Sequence, residues 1–523
     1  MNVKPVFMFQ TAELGQSVSK SEFKKRQKTL RKELLDLQRD VRDAGLSPVL
    51  IDFAGVSGGG KGTSSNLLNK WMDPRWIHTI GYSEPSTEER QRPEFWRYWR
   101  DLPPRGQINI SLSGRYHRPL LDFVHERIDE DQLEHLCERI NHFETTLAAD
   151  GALILKFWMH LNRDVQEKRL NKLKDDPLRQ WKVKPVDWEN WELYDRFVVA
   201  AEHIISHTNT GDAPWTIVEG EDFNHRHLVV GETLREAMQI HLKKTSFRQS
   251  YLEQLDAEVA ELNDHGISSA VSRQATIVES LDLSLSLEKS DYESQRDELQ
   301  ARLAVLHGKA VRQGRTIVLV LEGLDAAGKG GSARQITDVI DARTYKVQPI
   351  AAPTQEEHSR HYLWRFWKRL PRPGFMTIFD RSWYGRVLVE RIEGFASIEE
   401  WQRAYSEIND FEDQMLEEGT ILIKFWFHVS KETQLERFKA RENTPHKRWK
   451  LTDEDWRNHE KYDAYAFAAH EMIQRTSTLS APWTLVESDD KLYGRIKVLD
   501  TVCKMLEKAV GESEPKGQIK SGA

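Results

Sequence analysis

The residues best suited to chemistry in this chain lie in a glycine-rich loop and in an acidic–basic pair some fifty residues after it. The apolar run Ile317–Leu321 leads into Glu322-Gly-Leu-Asp-Ala-Ala-Gly-Lys-Gly-Gly331, followed by the helical pattern Ser332–Asp341. Gly323, Gly328 and Lys329 satisfy the spacing G-x-x-x-x-G-K. Between a strand and a helix, such a loop turns backbone N–H groups toward phosphate oxygens; the helix N-terminus adds positive potential and lysine a point charge. Gly323, Ala326, Ala327, Gly328, Lys329, Gly330 and Gly331 are therefore candidates for phosphate binding. Gly330 stands where most such loops place a Ser or Thr hydroxyl for magnesium.

A second constellation is Met376-Thr-Ile-Phe-Asp-Arg-Ser-Trp-Tyr-Gly-Arg386. An apolar strand ending in Asp380 suits a carboxylate that holds magnesium at the C-terminal edge of a sheet. Arg381 and Arg386 would face the same crevice. Two runs are strongly one-signed: Arg360–Arg372 has five cations and no acid, and Arg437–Lys450 has six cations against Glu442 alone. The second run follows the fourth expected strand, where nucleotide kinases place a mobile lid whose arginines close on the transferred group. A plain solvated face is the competing explanation for both. His225, His227, His358 and His361 lack the partner spacing of a zinc site and read as structural or surface residues.

The elements that must position these groups occur twice. Lys61 and Lys329 stand 268 residues apart, and the same offset pairs Trp99 with Trp367, Lys156 with Lys424, Trp181 with Trp449 and Trp215 with Trp483. Gly151–Asp222 matches Gly419–Asp490 without a gap, with 28 identities in 72 positions. So long a period means duplicated domains, since solenoid repeats are about 20–50 residues long. Each copy opens with a charged helical stretch, Lys20–Asp43 or Tyr292–Arg312, and then an apolar run, Val49–Phe53 or Ile317–Leu321. Further strands are expected at Val347–Ala351, Met376–Phe379, Ile421–Val429 and Trp483–Val486, with helices between them. This alternation predicts an α/β fold with a parallel five-stranded sheet per copy. The expected domains are 1–245, a linker 246–290 with a helical piece at Tyr251–Leu262, a second domain 291–510 and a disordered tail 511–523. Tryptophans kept in both copies are expected to pack the core.

Composition excludes several classes. Net charge is −7, so nucleic acid would find no global attraction. No segment approaches the roughly 20 apolar residues of a membrane span, and Val6–Phe9 is too short for a signal peptide core. Cys137 and Cys503 are the only cysteines, too few for a disulfide framework, which favours a reducing, cytoplasmic setting.

The strings Gly323-Leu-Asp-Ala-Ala-Gly-Lys-Gly330, Asp380-Arg-Ser-Trp-Tyr and Arg441 with Pro445-His-Lys-Arg-Trp-Lys450 closely resemble the polyphosphate kinase 2 family, in particular its two-domain members. The resemblance covers most of the chain. It implies two tandem P-loop domains of thymidylate-kinase-like fold, each with a helical lid, and a transfer of phosphoryl groups from inorganic polyphosphate to AMP. At the matching positions it implies that Asp325 orients or deprotonates the accepting phosphate and helps hold Mg²⁺, with Asp380 as the second metal ligand. It implies that Lys329 binds phosphate, that Arg381 and Arg441 stabilise the transferred charge, and that Arg386, Lys447 and Lys450 contact phosphates.

Applied to the first copy, the offset places Ser57, Leu112, Ser113 and Leu173 where the second has Asp325, Asp380, Arg381 and Arg441. A single well-placed arginine can be worth ~10³–10⁵ in phosphoryl-transfer rate, so the first copy is expected to be inactive. The rival readings are polyphosphate-dependent phosphorylation of ADP or GDP, an ATP-dependent kinase, and a binding module without catalysis. The expected partners are polyphosphate and AMP, with no nucleic acid and no membrane, and with room for a homo-oligomer.

Overall fold

The computed structural model describes residues 8–264, 276–445 and 453–511. They form two compact units. The first carries the strands β1 Val49–Gly55, β2 Ile77–Gly81, β3 Ile108–Leu112, β4 Leu153–His160 and β5 Trp215–Glu219. The second carries β6 Ile317–Gly323, β7 Tyr345–Pro349, β8 Met376–Asp380, β9 Ile421–His428 and β10 Trp483–Glu487. Unit membership departs from sequence order at two places: Ser86–Arg100 belongs to the second unit and His358–His361 to the first.

Each unit is a parallel five-stranded sheet, ordered β2-β3-β1-β4-β5 in the first and β7-β8-β6-β9-β10 in the second. The most apolar strands lie at the centre, because a strand covered by helices on both faces cannot alternate polar and apolar residues. Ile317, Val318, Leu319, Val320 and Leu321 are all buried. The chain leaves β6 between β8 and β9, where the strand order reverses. Ligands of open α/β sheets bind in the crevice at such a switch point.

The expected α/β class, the parallel sheets and their number of strands are all observed. The edge strand β7 spans Tyr345–Pro349, two residues earlier than the apolar run Val347–Ala351 suggests. Its residues are exposed or half-buried, so apolar content is a poor guide to it, and an edge tolerates Pro349 because no neighbour needs its missing N–H. Tyr251–Leu262 belongs to a continuous helix, Phe223–Asp264. Trp364, Trp367, Trp426 and Trp483 are buried as expected of core residues, whereas Trp181 is exposed. Among the described residues no helix is long and apolar enough to cross a membrane.

The residues shared by the two copies build one buried polar network in each unit. Lys424 Nζ donates to Glu412 Oε2 (2.7 Å), to the Thr476 carbonyl (2.7 Å) and to Tyr384 Oη (3.1 Å). Trp383 Nε1 and Tyr384 Oη donate to Glu412 Oε1 at 3.0 and 2.7 Å. In the first unit Lys156 donates to Glu144 (2.8 Å) and to the Thr208 carbonyl (2.5 Å). Trp215 and Trp483 each donate an indole N–H to the threonine hydroxyl of this network, both at 2.9 Å. The network ties the sheet to its flanking helices and fixes the turn after β8.

Candidate functional site

The glycine loop of the second unit runs from the end of β6 to the helix Lys329–Thr337. Gly323 has φ +142°, and a Cβ there would stand 2.3 Å from the Phe427 carbonyl oxygen of β9, so no side chain fits. Gly328 caps the helix in a left-handed conformation. Lys329 Nζ curls back to donate to the carbonyls of Gly323 (2.6 Å) and Leu324 (3.1 Å). Lys61 repeats this contact on Gly55 (2.5 Å) and Val56 (3.0 Å). The loop scaffold and its lysine are thus alike in both units. The surroundings differ.

On one side of the second unit's loop lies a small recess lined by Glu322, Asp325, Arg381, Glu454, Asn458 and Tyr465, among others. Asp325 is held from three directions. Its Oδ1 accepts from Arg381 Nη2 (3.1 Å), its Oδ2 from Asn458 Nδ2 (2.8 Å), and its backbone carbonyl from Gln434 Nε2 (3.0 Å). Burial pushes the Asp325 carboxyl up, but the nearby Lys329 and Arg381 charges outweigh it, and the net shift is downward. The group is therefore ionised under all ordinary conditions. Arg381 adopts φ +64°, rare for a residue with a side chain, and its Nη1 also reaches Glu454 at 3.5 Å. Behind the loop, Ser382 Oγ donates to the buried Glu322 at 2.7 Å, while burial raises the Glu322 carboxyl.

On the other side is a larger cavity of about 250 Å³. Ala326, Ala327, Gly328 and Gly331 form its floor, and Arg437, Arg441, Lys491 and Arg495 bring four cations to its walls. Arg437 braces the loop, donating to the carbonyls of Ala326 and Asp489, both at 2.9 Å. Its counterpart Arg169 does the same in the first unit, at the Gly58 (2.9 Å) and Gly220 (2.8 Å) carbonyls. A cavity with so many cations at the N-terminus of a helix suits a polyanion rather than a neutral ligand.

The structure thus brings Asp325, Lys329, Arg381 and Arg441 around one loop, with Gly323, Ala326, Ala327, Gly328 and Gly331 as its frame. Gly330 is exposed beside them. Asp380 ends β8 in register with Leu321 of β6, half-buried and with no side-chain hydrogen bond among the described residues. Arg386 is not brought to the loop. It pairs with Glu390 (3.1 Å) and Glu400 (3.7 Å), covers the Tyr362 ring at 4.5 Å, and lines neither recess. Lys447 and Lys450 lie outside the described residues.

Sequence reasoning missed Glu322, Gln434, Asn458, Lys491 and Arg495. Gln434 and Asn458 are identical in the two copies, as Gln166 and Asn190, and so read as fold residues. Lys491 and Arg495 lie just past the gapless match, where the same offset gives Phe223 and His227. That difference was the available signal.

In the first unit the serine at the Asp325 position, Ser57, donates to Asp187 Oδ1 at 2.6 Å. The nearest carboxylate of its central strand, Asp52, is buried and paired with Arg115 at 2.9 Å. The carboxylates found there, Asp187 and Asp52, are thus engaged by Ser57 and by Arg115.

A family model described as polyphosphate kinase 2 matches residues 17–246 and again 286–514. A polyphosphate:AMP phosphotransferase of Pseudomonas aeruginosa is 46% identical over 505 residues, covering 96% of this chain and 99% of that protein. A polyphosphate:AMP phosphotransferase of Acinetobacter johnsonii is 35% identical over 90% of this chain and 92% of its own length. A crystal structure from Pseudomonas aeruginosa PA01, described as a polyphosphate kinase 2, superposes with a TM-score of 0.84 at 42% identity, covering 97% of this chain and 100% of that one.

Proposed function

The chain belongs to the polyphosphate kinase 2 family, and from that membership we infer that it transfers the terminal phosphoryl group of inorganic polyphosphate to AMP, giving ADP. The observation that carries this reading is the match, across both units and nearly the whole length, to relatives named for that reaction. A polyphosphate-dependent kinase acting on ADP or GDP is the less favoured alternative.

The geometry supports a division of labour around one loop. The cavity walled by Arg437, Arg441, Lys491 and Arg495 takes the polyphosphate chain. Lys329 and the loop N–H groups hold its end. The recess at Asp325 and Arg381 takes the phosphate of AMP. An oxygen of that phosphate attacks the terminal phosphorus, the bridging P–O bond of the polymer breaks, and the shortened chain leaves with the bridging oxygen. Such transfers rely on positioning and charge stabilisation more than on covalent chemistry.

Two carboxylates fit a hard cation: Asp325, held ionised by its cationic neighbours, and Asp380, which has no competing partner among the described residues. Bound Mg²⁺ would neutralise charge on the phosphoryl oxygens. Asp325 further orients the accepting phosphate, and Arg381 and Arg441 offset charge on the transferred group. The first unit, without these groups, is inactive. The soluble surface and paucity of cysteine suit the cytoplasm.

Incubation with AMP, Mg²⁺ and polyphosphate is expected to yield ADP. Absence of ADP formation, with ADP instead converted to ATP, would overturn the choice of acceptor.

A further inference from the structure

Beside the two glycine loops, on the turn after the fifth strand of each unit, lies a difference that the lost carboxylates do not explain. The offset that pairs Lys61 with Lys329 pairs Arg226 with Gly494. The local backbone confirms the pairing. The N–H of Arg226 donates to the Asp222 carbonyl and that of Gly494 to the Asp490 carbonyl, both at 3.2 Å. The side chains of Asp222 and Asp490 accept from the N–H of His225 (2.7 Å) and Tyr493 (2.6 Å), the same turn in each unit.

What fills the space over the loop is different. At Gly328 a Cβ would meet nothing within 4 Å, and Gly494 lines the open cationic cavity beside it. At Gly60, the counterpart of Gly328, a Cβ would stand 2.7 Å from Arg226 Nε and 3.1 Å from its Cζ. Arg226 is 6% exposed. It donates to the Gly220 carbonyl at 2.9 Å and to Thr63 Oγ1 at 3.2 Å. Its Nε, aimed at the loop, is buried without a hydrogen-bond partner. Neighbouring cations have gone as well: Arg441, Lys491 and Arg495 become Leu173, Phe223 and His227. Burial and the adjoining Arg226 charge hold His227 down at about 4, so it is neutral near pH 7.

We propose that the Arg226 guanidinium occupies the first unit's anion cradle in place of a phosphate group, and that the exchange of Arg226 for Gly494 decides which loop admits a phosphate chain. Gly494 is thus a specificity-determining residue of the second unit, acting by leaving room. The arrangement has an electrostatic consequence. Arg226 sits at a helix N-terminus beside Arg169, and burial together with that like charge lowers its pKa to about 10. Its two Nη atoms are engaged by the Gly220 carbonyl and by Thr63, so the guanidinium closes the site rather than serving one.

The inference takes a phosphate chain as the ligand of the second loop, and in that respect it rests on the proposed function. Its test counts bound anions and so is separable from turnover: ADP formation can fail while the counts hold, and the reverse. Tripolyphosphate is titrated calorimetrically into the full-length protein at low salt. The wild-type chain is expected to bind one equivalent. Gly494→Arg is expected to weaken that binding by about a hundredfold or more, the scale of a blocked charge-pairing site. The first unit carries an arginine on the same turn, but a Cβ at Gly494 would stand 3.1 Å from the Glu487 carbonyl oxygen, so an unchanged melting temperature and retained AMP binding are required of the variant before its counts are read. Arg226→Gly is expected to add a second, salt-sensitive equivalent, which Lys61→Ala in the same chain removes. Two equivalents on the wild-type chain, an undiminished site in a folded Gly494→Arg chain, or a single equivalent on Arg226→Gly would each overturn the proposal.

Discussion

Arg381 sits at φ +64° and its counterpart Ser113 at φ +55°, a conformation that costs a residue with a side chain on the order of 1 kcal/mol or more and that belongs to the turn of both units. Only the second unit uses this turn to hold a guanidinium 3.1 Å from Asp325 and within reach of Glu454. Because Arg381 is among the charges that depress the Asp325 carboxyl, Arg381→Gln should raise it. The sign follows from linkage. A carboxyl whose folded pKa lies below its unfolded one is ionised, and its stabilisation present, above the unfolded value; both are lost as pH falls through the folded value. Removing Arg381 should therefore move the acid limb of the kcat/KM profile for AMP upward, beyond any loss in rate. An unmoved limb would mean that Arg381 does not tune Asp325. Asp325→Asn should keep the fold and lose activity by ~10³-fold or more, measured as ADP formation. Asp325 and Arg381 were legible in the sequence because only one copy has them. Asn458 and Gln434 were not, because residues that orient Asp325 are retained in both copies and look like residues that hold the fold.

Strands and helices act on the site through what anchors them. The turn that carries Arg381 is tied down by Trp383 and Tyr384, both of which donate to Glu412 on the helix Ile398–Glu417. Glu412 is in turn neutralised by Lys424 of β9, and neither side chain of that pair is more than 2% exposed. Breaking a buried pair from one side leaves an uncompensated charge, so Lys424→Met should destabilise the second unit by about 3–5 kcal/mol. Lys424→Met combined with Glu412→Leu should recover part of that loss, though Trp383 and Tyr384 then lose an acceptor. Denaturant unfolding of the full chain, followed by tryptophan fluorescence, compares the three proteins; a double variant no better than the single one would refute the pairing argument. The central strands were legible because burial on both faces leaves an uninterrupted apolar run. β7 was displaced by two residues because half of an edge strand faces water and its pattern dissolves. The lysine within β4 and β9 gave no hint of its partner, since Glu144 and Glu412 are twelve residues upstream on a different element.

Across the whole molecule, the duplication separates what makes the fold from what makes the reaction. Each unit has the same strand order, the same lysine curled onto two loop carbonyls, and the same arginine bracing the loop from behind. That much is readable from the repeat, because a gapless match over a long stretch requires equal spacing of elements. It could not show which cavities are open, since that depends on where one long side chain, Arg226, comes to rest. The sharpest comparison at this scale is between the two lysines, because their local geometry is nearly superimposable. If activity followed the loop alone, Lys61→Ala and Lys329→Ala would cost alike. Only Lys329 has Asp325 and Arg381 on one side and a cation-walled cavity on the other. Lys329→Ala should therefore abolish polyphosphate-dependent ADP formation, while Lys61→Ala leaves it within a few-fold and acts, if at all, on the stability of the first unit. Initial rates on the two full-length variants, with melting temperatures to confirm folding, make the comparison. Equal losses in two folded proteins would show that the first loop takes part in turnover, and the assignment of one reaction centre to the second unit would fall.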